Sequence, residues 1–316
     1  MKGEIINILL LGGGRKVSLA QQLKISGEKL GYSVSIFSYD LTAEEPIVLE
    51  GEVIPGLPWN DPGVVGDICR IVEEKDIDIL LPMLNGAIEV ASMCRLRLPK
   101  VFIPVTDFAV AKPLFDKSEA ATLFKKEKFP IPKTYNVLSA KMPAIAKPRK
   151  GGSSKGIFVF NDMEDLMHLH DLSAYIIQEY LENCREFTVD SYIDASGNIL
   201  TIVPRERLNV LGGESTRTKT CRNPFLEKFS IEVITRLGLR GPVNLQFLHD
   251  LDTDRYLLLE VNPRLGGAVI CAILAGAPIT DYIIREAMGQ TLTPCDDWKD
   301  GALLARYYKE AVFFRD

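Results

Sequence analysis

Histidine is scarce in this chain: there are three in 316 residues, and two of them, His168 and His170, stand two apart in what reads as a surface helix. A zinc centre built on imidazoles is therefore a poor reading. Paired cysteines are missing as well. The six present (Cys69, Cys94, Cys184, Cys221, Cys271 and Cys295) are scattered without a CxxC, which argues against a disulfide framework and fits free buried thiols in a reducing cytoplasm. Positive charge is not in excess: 37 Lys and Arg face 42 Asp and Glu, so no charge imbalance draws the chain to nucleic acid or to an anionic membrane surface. No apolar run is long enough for a membrane span. The run near the start, in MKGEIINILLLGGGRK, is short, ends in glycines and lacks a small-residue cleavage site, so neither a leader nor an anchor is expected there. Internal repeats and low-complexity segments are absent too. What remains, 47% hydrophobic and 25% charged residues, is the composition of a globular enzyme acting on small molecules, long enough for two or three packed units.

The first hundred residues alternate strand and helix. An apolar strand over 5–11 meets Gly12, Gly13 and Gly14, then a helical pattern over 16–30 and a strand over 33–37; helices over 61–75 and 86–95 alternate with strands over 78–81 and 101–103. This is a doubly wound α/β unit. Ser18 or Leu19 stands where GxGxxG would need a further glycine, so a turn closing strand onto helix is a better reading than a dinucleotide site. Asp40, Asn85 and Glu89 fall at or just past strand ends, where ligands bind in such sheets, although Asn85 before Gly86 also suits a helix cap. A lysine-rich helix over 111–128 follows, broken by Pro130 and Pro132. Beyond residue 143 strands dominate, with a turn at 195–198 and helices over 222–237 and 271–288, as in an α+β unit.

Chemistry concentrates in the stretch GPVNLQFLHDLDTDRYLLLEVNPRLGG, residues 241–267. Read as two strands, it places Asn244 and Gln246 on one face of the first, and Glu260, Asn262 and Arg264 on one face of the second. Such oxygen donors suit Mg²⁺ held together with substrate phosphates. Lys147 ends the strand PAIAK and is followed by the loop Gly151-Gly152-Ser153-Ser154-Lys155-Gly156, whose backbone amides could cover phosphates or form a plain surface hairpin. The segment Glu179-Tyr180-Leu181 could supply the backbone donor and acceptor that adenine needs. Glu186 could accept from ribose hydroxyls or merely pair with Arg185 or a lysine on the surface. Among Arg205, Arg207, Glu214, Arg217 and Lys219, Arg207 and Lys219 are the better candidates for clamping an anion, the rest reading as a solvated charge run.

Together these motifs resemble the ATP-grasp superfamily, and specifically one synthetase unit of the carbamoyl-phosphate synthase large chain. The family's N-x-Q and E-x-N-x-R motifs are matched by Asn244-Leu245-Gln246 and Glu260-Val261-Asn262-Pro263-Arg264, with Gln246 and Glu260 separated by 14 positions. The resemblance implies an N-terminal doubly wound pre-ATP-grasp domain (1–105). It also implies a two-lobed α+β ATP-grasp domain (106–316), divided into a linker and lid lobe (106–185) and a metal and catalytic lobe (186–316). It further implies that Gln246, Glu260 and Asn262 hold two Mg²⁺ ions, for which Mn²⁺ could substitute, and that Arg264 steadies the reacting anion. Lys117 and Lys147 would contact ATP phosphates under the lid of Gly151, Gly152, Ser153 and Ser154; Glu179, Tyr180 and Leu181 would border adenine, and Glu186 would bind ribose. The activity implied is an ADP-forming ligase that activates a carboxylate or bicarbonate and passes it to an amine, with an ATP-binding module lacking turnover as the alternative. Small-molecule substrates, no nucleic acid, no membrane and a homodimer complete the expectation. Leu265-Gly266-Gly267 is closer to the amino-acid ligases of the same superfamily, and neither substrate is named by the sequence.

Overall fold

The computed structural model of the protein describes residues 4–151 and 155–314. The chain opens with β1 (Ile5–Leu11), α1 (Val17–Leu30), β2 (Ser33–Asp40), β3 (Glu52–Pro55), α2 (Val64–Glu74), β4 (Ile79–Pro82) and α3 (Asn85–Arg97). These strands form a parallel sheet in the order β3-β2-β1-β4. Because side chains alternate along a strand, the apolar run of β1 feeds two cores. Ile6, Ile8 and Leu10 meet Leu19, Ala20 and Leu23 of α1, whereas Leu9 and Leu11 meet Ile68, Ile71 and Val72 of α2 and Ala87, Val90 and Ala91 of α3. The sheet is therefore doubly wound, as expected. Two details differ: β3 is a short edge strand that the pattern did not reveal, and the strand anticipated at 101–103 is a single bridge from Phe102 to Ile79.

The helix anticipated over 111–128 is split into α4 (Phe108–Ala111), a 3-10 turn (Lys112–Phe115) and α5 (Lys117–Lys126). Pro113 prevents one continuous helix, and Asp116 restarts it by accepting from the amides of Ser118 (2.9 Å) and Glu119 (3.3 Å). An antiparallel sheet follows, in the order β5-β8-β6-β7: β5 (Thr134–Tyr135), β6 (Ala144–Pro148), β7 (Phe158–Phe160) and β8 (Tyr175–Glu179). Between β7 and β8, α6 (Met163–Met167) seats Leu166 against Ala144, Ala146 and Ile177. His168 is the C-cap of this short helix and His170 lies beyond it, so the expected helical pair does not form.

The rest of the chain builds a six-stranded antiparallel sheet, β13-β12-β9-β10-β11-β14. Its strands are β9 (Cys184–Ile193), β10 (Ile199–Leu211), β11 (Glu214–Thr220), β12 (Gly241–Asp250), β13 (Arg255–Asn262) and β14 (Leu303–Ala305). One face packs on α7 (Pro224–Leu237) through Leu226, Phe229, Val233 and Leu237. The other face packs on α8 (Ile270–Leu274) and α9 (Ile279–Ala287), which the sequence had suggested as one helix. Gly276, with φ +110°, and Pro278 separate them. This second core is continuous with that of the N-terminal sheet: Tyr192, Val203, Leu265 and Tyr282 join Ile6, Ile8, Leu19 and Leu23 in one cluster, with Ser26 bonded to Thr280 at 2.8 Å beside it. Among the described residues no helix is long and apolar enough to cross a membrane.

The seam between the N-terminal unit and the large sheet is tightest at Gly241. Thr106 Oγ1 donates to the Arg240 carbonyl (2.9 Å) and accepts from the Arg240 amide (3.0 Å), while Gly241 sits at φ +70° with its Cα hydrogens against the Pro104 carbonyl. A Cβ at Gly241 would collide with that backbone oxygen. The positive φ alone costs a side chain about 1–3 kcal/mol. Gly241→Ala is therefore expected to lower the unfolding free energy by at least that much, seen by circular dichroism as a lower urea midpoint with an unchanged m-value.

Candidate active site

The three sheets enclose a cleft of about 990 Å³. It brings together most of the residues singled out in the sequence: Lys117, Lys147, Gly151, Glu179, Tyr180, Leu181, Glu186, Arg207, Gln246, Glu260, Asn262 and Arg264 all line it. Lys219 does not. On β11 its neighbour Thr218 faces inward, bonded to Arg205, so strand alternation turns Lys219 to the other face, on the side of Cys221. Gly152, Ser153 and Ser154 lie outside the described residues.

On the large sheet, β12 and β13 pair so that Gln246 stands opposite Glu260 and Asn244 opposite Asn262, with a bulge between Gln246 and Phe247 that re-aims the strand. Among the described residues, the side chains of Gln246, Glu260 and Asn262 make no hydrogen bond or ion pair. Lys147, Arg207 and Arg264 are near enough to feel the Glu260 charge. One carboxylate and two amide oxygens are too few to enclose a cation, and no group of three His, Cys, Asp or Glu among the described residues forms a metal site. The set fits Mg²⁺ that receives its remaining ligands from phosphate and water.

Beneath these donors runs a buried polar chain that sequence reasoning missed. Asn244 Nδ2 donates to Asp190 Oδ1 (2.7 Å), Arg205 Nε donates to Asp190 Oδ2 (2.7 Å), and Arg205 Nη1 donates to Thr218 Oγ1 (3.0 Å). Thr218 Oγ1 in turn donates to the Glu206 carbonyl at 2.7 Å. Asp190 and Arg205 are each 1% exposed, so Arg205 is no part of a solvated charge run. The available signal was Thr188 and Asp190 alternating with apolar residues in a buried strand. The same network explains Gly266 and Gly267. A Cβ on Gly266 would strike the Asn244 amide and approach Asp190 Oδ1 to 2.9 Å, and one on Gly267 would lie 3.0 Å from Glu214 Oε1.

On the opposite wall, Lys147 Nζ donates to Gln178 Oε1 (3.1 Å). Burial pulls its pKa down to about 8; Glu186 and Glu260 oppose the shift and Lys117 adds to it. Lys117 Nζ donates to the Gly151 carbonyl (3.1 Å), and its backbone amide donates to the Arg149 carbonyl (2.8 Å). Arg149 is held by the buried Asp116 at 3.0 Å, so the residue that caps α5 also anchors the entry to the glycine loop. Neither Asp116 nor Arg149 had been singled out.

Glu179 is committed locally: Oε1 accepts from the Lys133 amide (2.9 Å) and Oε2 lies 3.5 Å from Arg255. Tyr180 and Leu181 of this segment line the cleft beside it. Glu186 does not pair with Arg185, which faces Glu206 at 3.8 Å, but lies 3.1 Å from Arg207 Nε. That contact is misaligned for hydrogen bonding and leaves Arg207 Nε buried without a hydrogen-bond partner, while Arg207 Nη2 donates to the Gly213 carbonyl (2.9 Å). Arg264 is braced across the seam, Nε donating to Asn85 Oδ1 (2.9 Å) and Nη1 to the Leu265 carbonyl (3.0 Å). Asn85 thus begins α3 without capping it, the cap position being Leu84. Asp40 is occupied by Ser38 (2.5 Å) and the Gly14 amide (3.2 Å), and Glu89 is exposed; neither lines the cleft.

The chain is similar to known proteins in sequence and in fold. A family model described as ATP-grasp in the biosynthetic pathway with Ter operon matches residues 171–307. The N-terminal section of the carbamoyl phosphate synthase large chain of Methanopyrus kandleri is 24% identical over 275 residues, covering 76% of this chain and 48% of the relative. The large chain of Methanobrevibacter smithii is 23% identical over 325 residues, covering 92% of this chain and 31% of the relative. The chain therefore spans less than half the length of these two curated relatives. Among solved structures, the biotin carboxylase domain of Hydrogenobacter thermophilus 2-oxoglutarate carboxylase, in complex with MgADP, ADP and bicarbonate, has a TM-score of 0.74 at 15% identity over 94% of this chain and 73% of that one. Staphylococcus aureus N5-carboxyaminoimidazole synthetase complexed with ADP has a TM-score of 0.73 at 18% identity, over 92% and 79% of the two chains. The chain shares its three-sheet fold with these carboxylase and synthetase structures, resembles an ATP-grasp family over residues 171–307, and is similar in sequence to part of the carbamoyl-phosphate synthase large chain.

Proposed function

We propose that the protein is an ADP-forming carboxylate–amine ligase. The observation that carries this reading is the Gln246–Glu260 pair, unbonded and facing the cleft, with Lys147 and Arg264 close enough to act on it. A carboxylate or bicarbonate oxygen attacks the γ-phosphorus of ATP, the bond to the bridging oxygen of ADP breaks, and an acyl phosphate forms. An amine then attacks the acyl carbon and phosphate leaves. The first step asks little covalent work of the protein, only in-line positioning and charge neutralisation.

Lys117 and Lys147 hold the phosphates from one wall, with the Glu179–Leu181 backbone at the base and Glu186 at the ribose. Gln246, Glu260 and Asn262 would hold Mg²⁺, two ions in our reading, with Mn²⁺ as a substitute. When bound, the metal neutralises phosphate oxygens and holds them in line. Arg264, kept straight by Asn85, steadies the attacking anion, and Arg207 adds charge beside Glu186. Divisions at residues 105 and 185 would separate the N-terminal unit, the lid lobe and the metal lobe.

Three measurements test the reading. ADP release from ATP should require both a carboxylate and an amine from a panel of each; tight ATP binding with no such release would mark a nucleotide-binding module instead. Glu260→Gln should cost at least about 1.5 kcal/mol, roughly tenfold, in Mg²⁺-dependent ADP affinity by calorimetry. The same variant should bind metal-free ATP no more weakly, because a negative charge facing the phosphates has been removed. Lys147 loses its proton as pH rises through about 8, so ATP affinity should fall about tenfold between pH 7 and 9.5. Binding near pH 8.5 should take up protons from the buffer, since phosphate restores the ammonium. Lys147→Met should bind more weakly at pH 7 and show a flat profile; a wild-type profile in that variant would refute the assignment.

A further inference from the structure

Away from Lys117 and Lys147, the cleft has a second cationic pole to which three distant segments contribute. Lys16, which follows the glycine turn, places Nζ 3.6 Å from Glu214 Oε1, beyond hydrogen-bond reach, and has no other side-chain partner among the described residues. Arg306, just past β14, donates to Glu214 Oε2 (2.5 Å) and to the Gly267 carbonyl. Arg264 stands near enough that it and Arg306 both disfavour the Lys16 ammonium, which burial disfavours most and Glu214 favours. Three cations thus gather around Glu214 in a half-buried corner, and Arg264 also feels Glu260, the carboxylate that the reading above gives to the metal. The imbalance is local: apart from Arg205, which Asp190 neutralises from beneath, seven Lys and Arg line the cleft against four Glu, although the whole chain carries a formal net charge of -5.

Cations held out of water with unused donors are costly unless an anion completes them. In the reading above, which this inference extends, Arg264 takes the carboxylate that attacks ATP. That leaves one cationic charge uncompensated, with the free N–H groups on Lys16. We propose that the carboxylate substrate is a small dianion, whose second anionic group, carboxylate or phosphate, is bound by Lys16 with Arg306 behind it. Lys16 is then the residue that sets substrate class, through a charge-assisted bond that a monocarboxylate or bicarbonate could not make.

The test is calorimetry on the full chain with Mg-ADP present, titrating succinate against butyrate and 3-phosphoglycerate against glycerate. Succinate or 3-phosphoglycerate should bind at least about tenfold more tightly than its match lacking the second anionic group, and the pair that shows it identifies that group. Lys16→Met should abolish the preference and Lys16→Arg should retain it. Equal binding within both pairs, no binding by any of the four, or a preference that survives in Lys16→Met would overturn the proposal. The wild-type comparison alone decides the matter if a variant does not fold. The ligase reading fails separately: a dianion that binds through Lys16 yet drives no ADP release with any amine would refute the reading and leave this site standing. ADP release driven equally by monocarboxylates would do the reverse.

Discussion

The candidate site depends on a carboxylate that water does not reach. Asp190, on β9, holds Asn244 of β12 on one side and Arg205 of β10 on the other, and Arg205 reaches Thr218 of β11. These are four adjacent strands of the large sheet, so one line of short bonds fixes their sideways alignment. Removing a single partner from such a pair strands a buried charge at a cost of about 3–5 kcal/mol. The arrangement therefore holds the face of β12 and β13 that carries Gln246, Glu260 and Asn262 in a set position relative to Arg207 on β10. Gly266 and Gly267 belong to the same constraint, because the loop after Arg264 lies so close over Asn244, Asp190 and Glu214 that side chains there would push it away.

Above this floor the cleft gathers positive charge on a chain that is acidic overall. Burying these cations is unfavourable, as the lowered pKa values of Lys16, Lys147, Arg207 and Arg264 all record, with burial the largest cause in each. A polyanionic ligand offsets that cost, so affinity and pH dependence at this site have one physical origin. The two poles differ in what they leave free. Lys147 and Lys117 already donate to Gln178 and Gly151, whereas the Lys16 ammonium has only a loose contact with Glu214.

Lys16 and Arg264 meet because the N-terminal sheet and the large sheet share a core. The α1 side of the doubly wound sheet is covered by α8 and α9 rather than by solvent, and Arg264 reaches 179 positions back along the chain to Asn85. Gly241 allows the closest approach at this seam. Arg264 is thus held in place by a brace that comes from the other unit.

The common face of Gln246, Glu260, Asn262 and Arg264 was legible in the sequence because strand alternation is a local property with a period of two. The two faces of β1 were legible for the same reason, since an apolar run in a parallel sheet fills the core on either side. The break at Gly276 and Pro278 was equally local and could have been read from residue types alone. Lys219 was misassigned because β10 and β11 were not seen as paired strands, and without register the face of a side chain is undetermined. Glu186, Asn85, Asp190, Lys16 and Arg306 take their roles from partners elsewhere in the fold. Sequence alone therefore determined the strands and which polar side chains share a face, where the outcome follows from residue type and short spacing. The tertiary structure decided which charges meet and which donors stay free, because those depend on strand register and on how two sheets pack across a shared core.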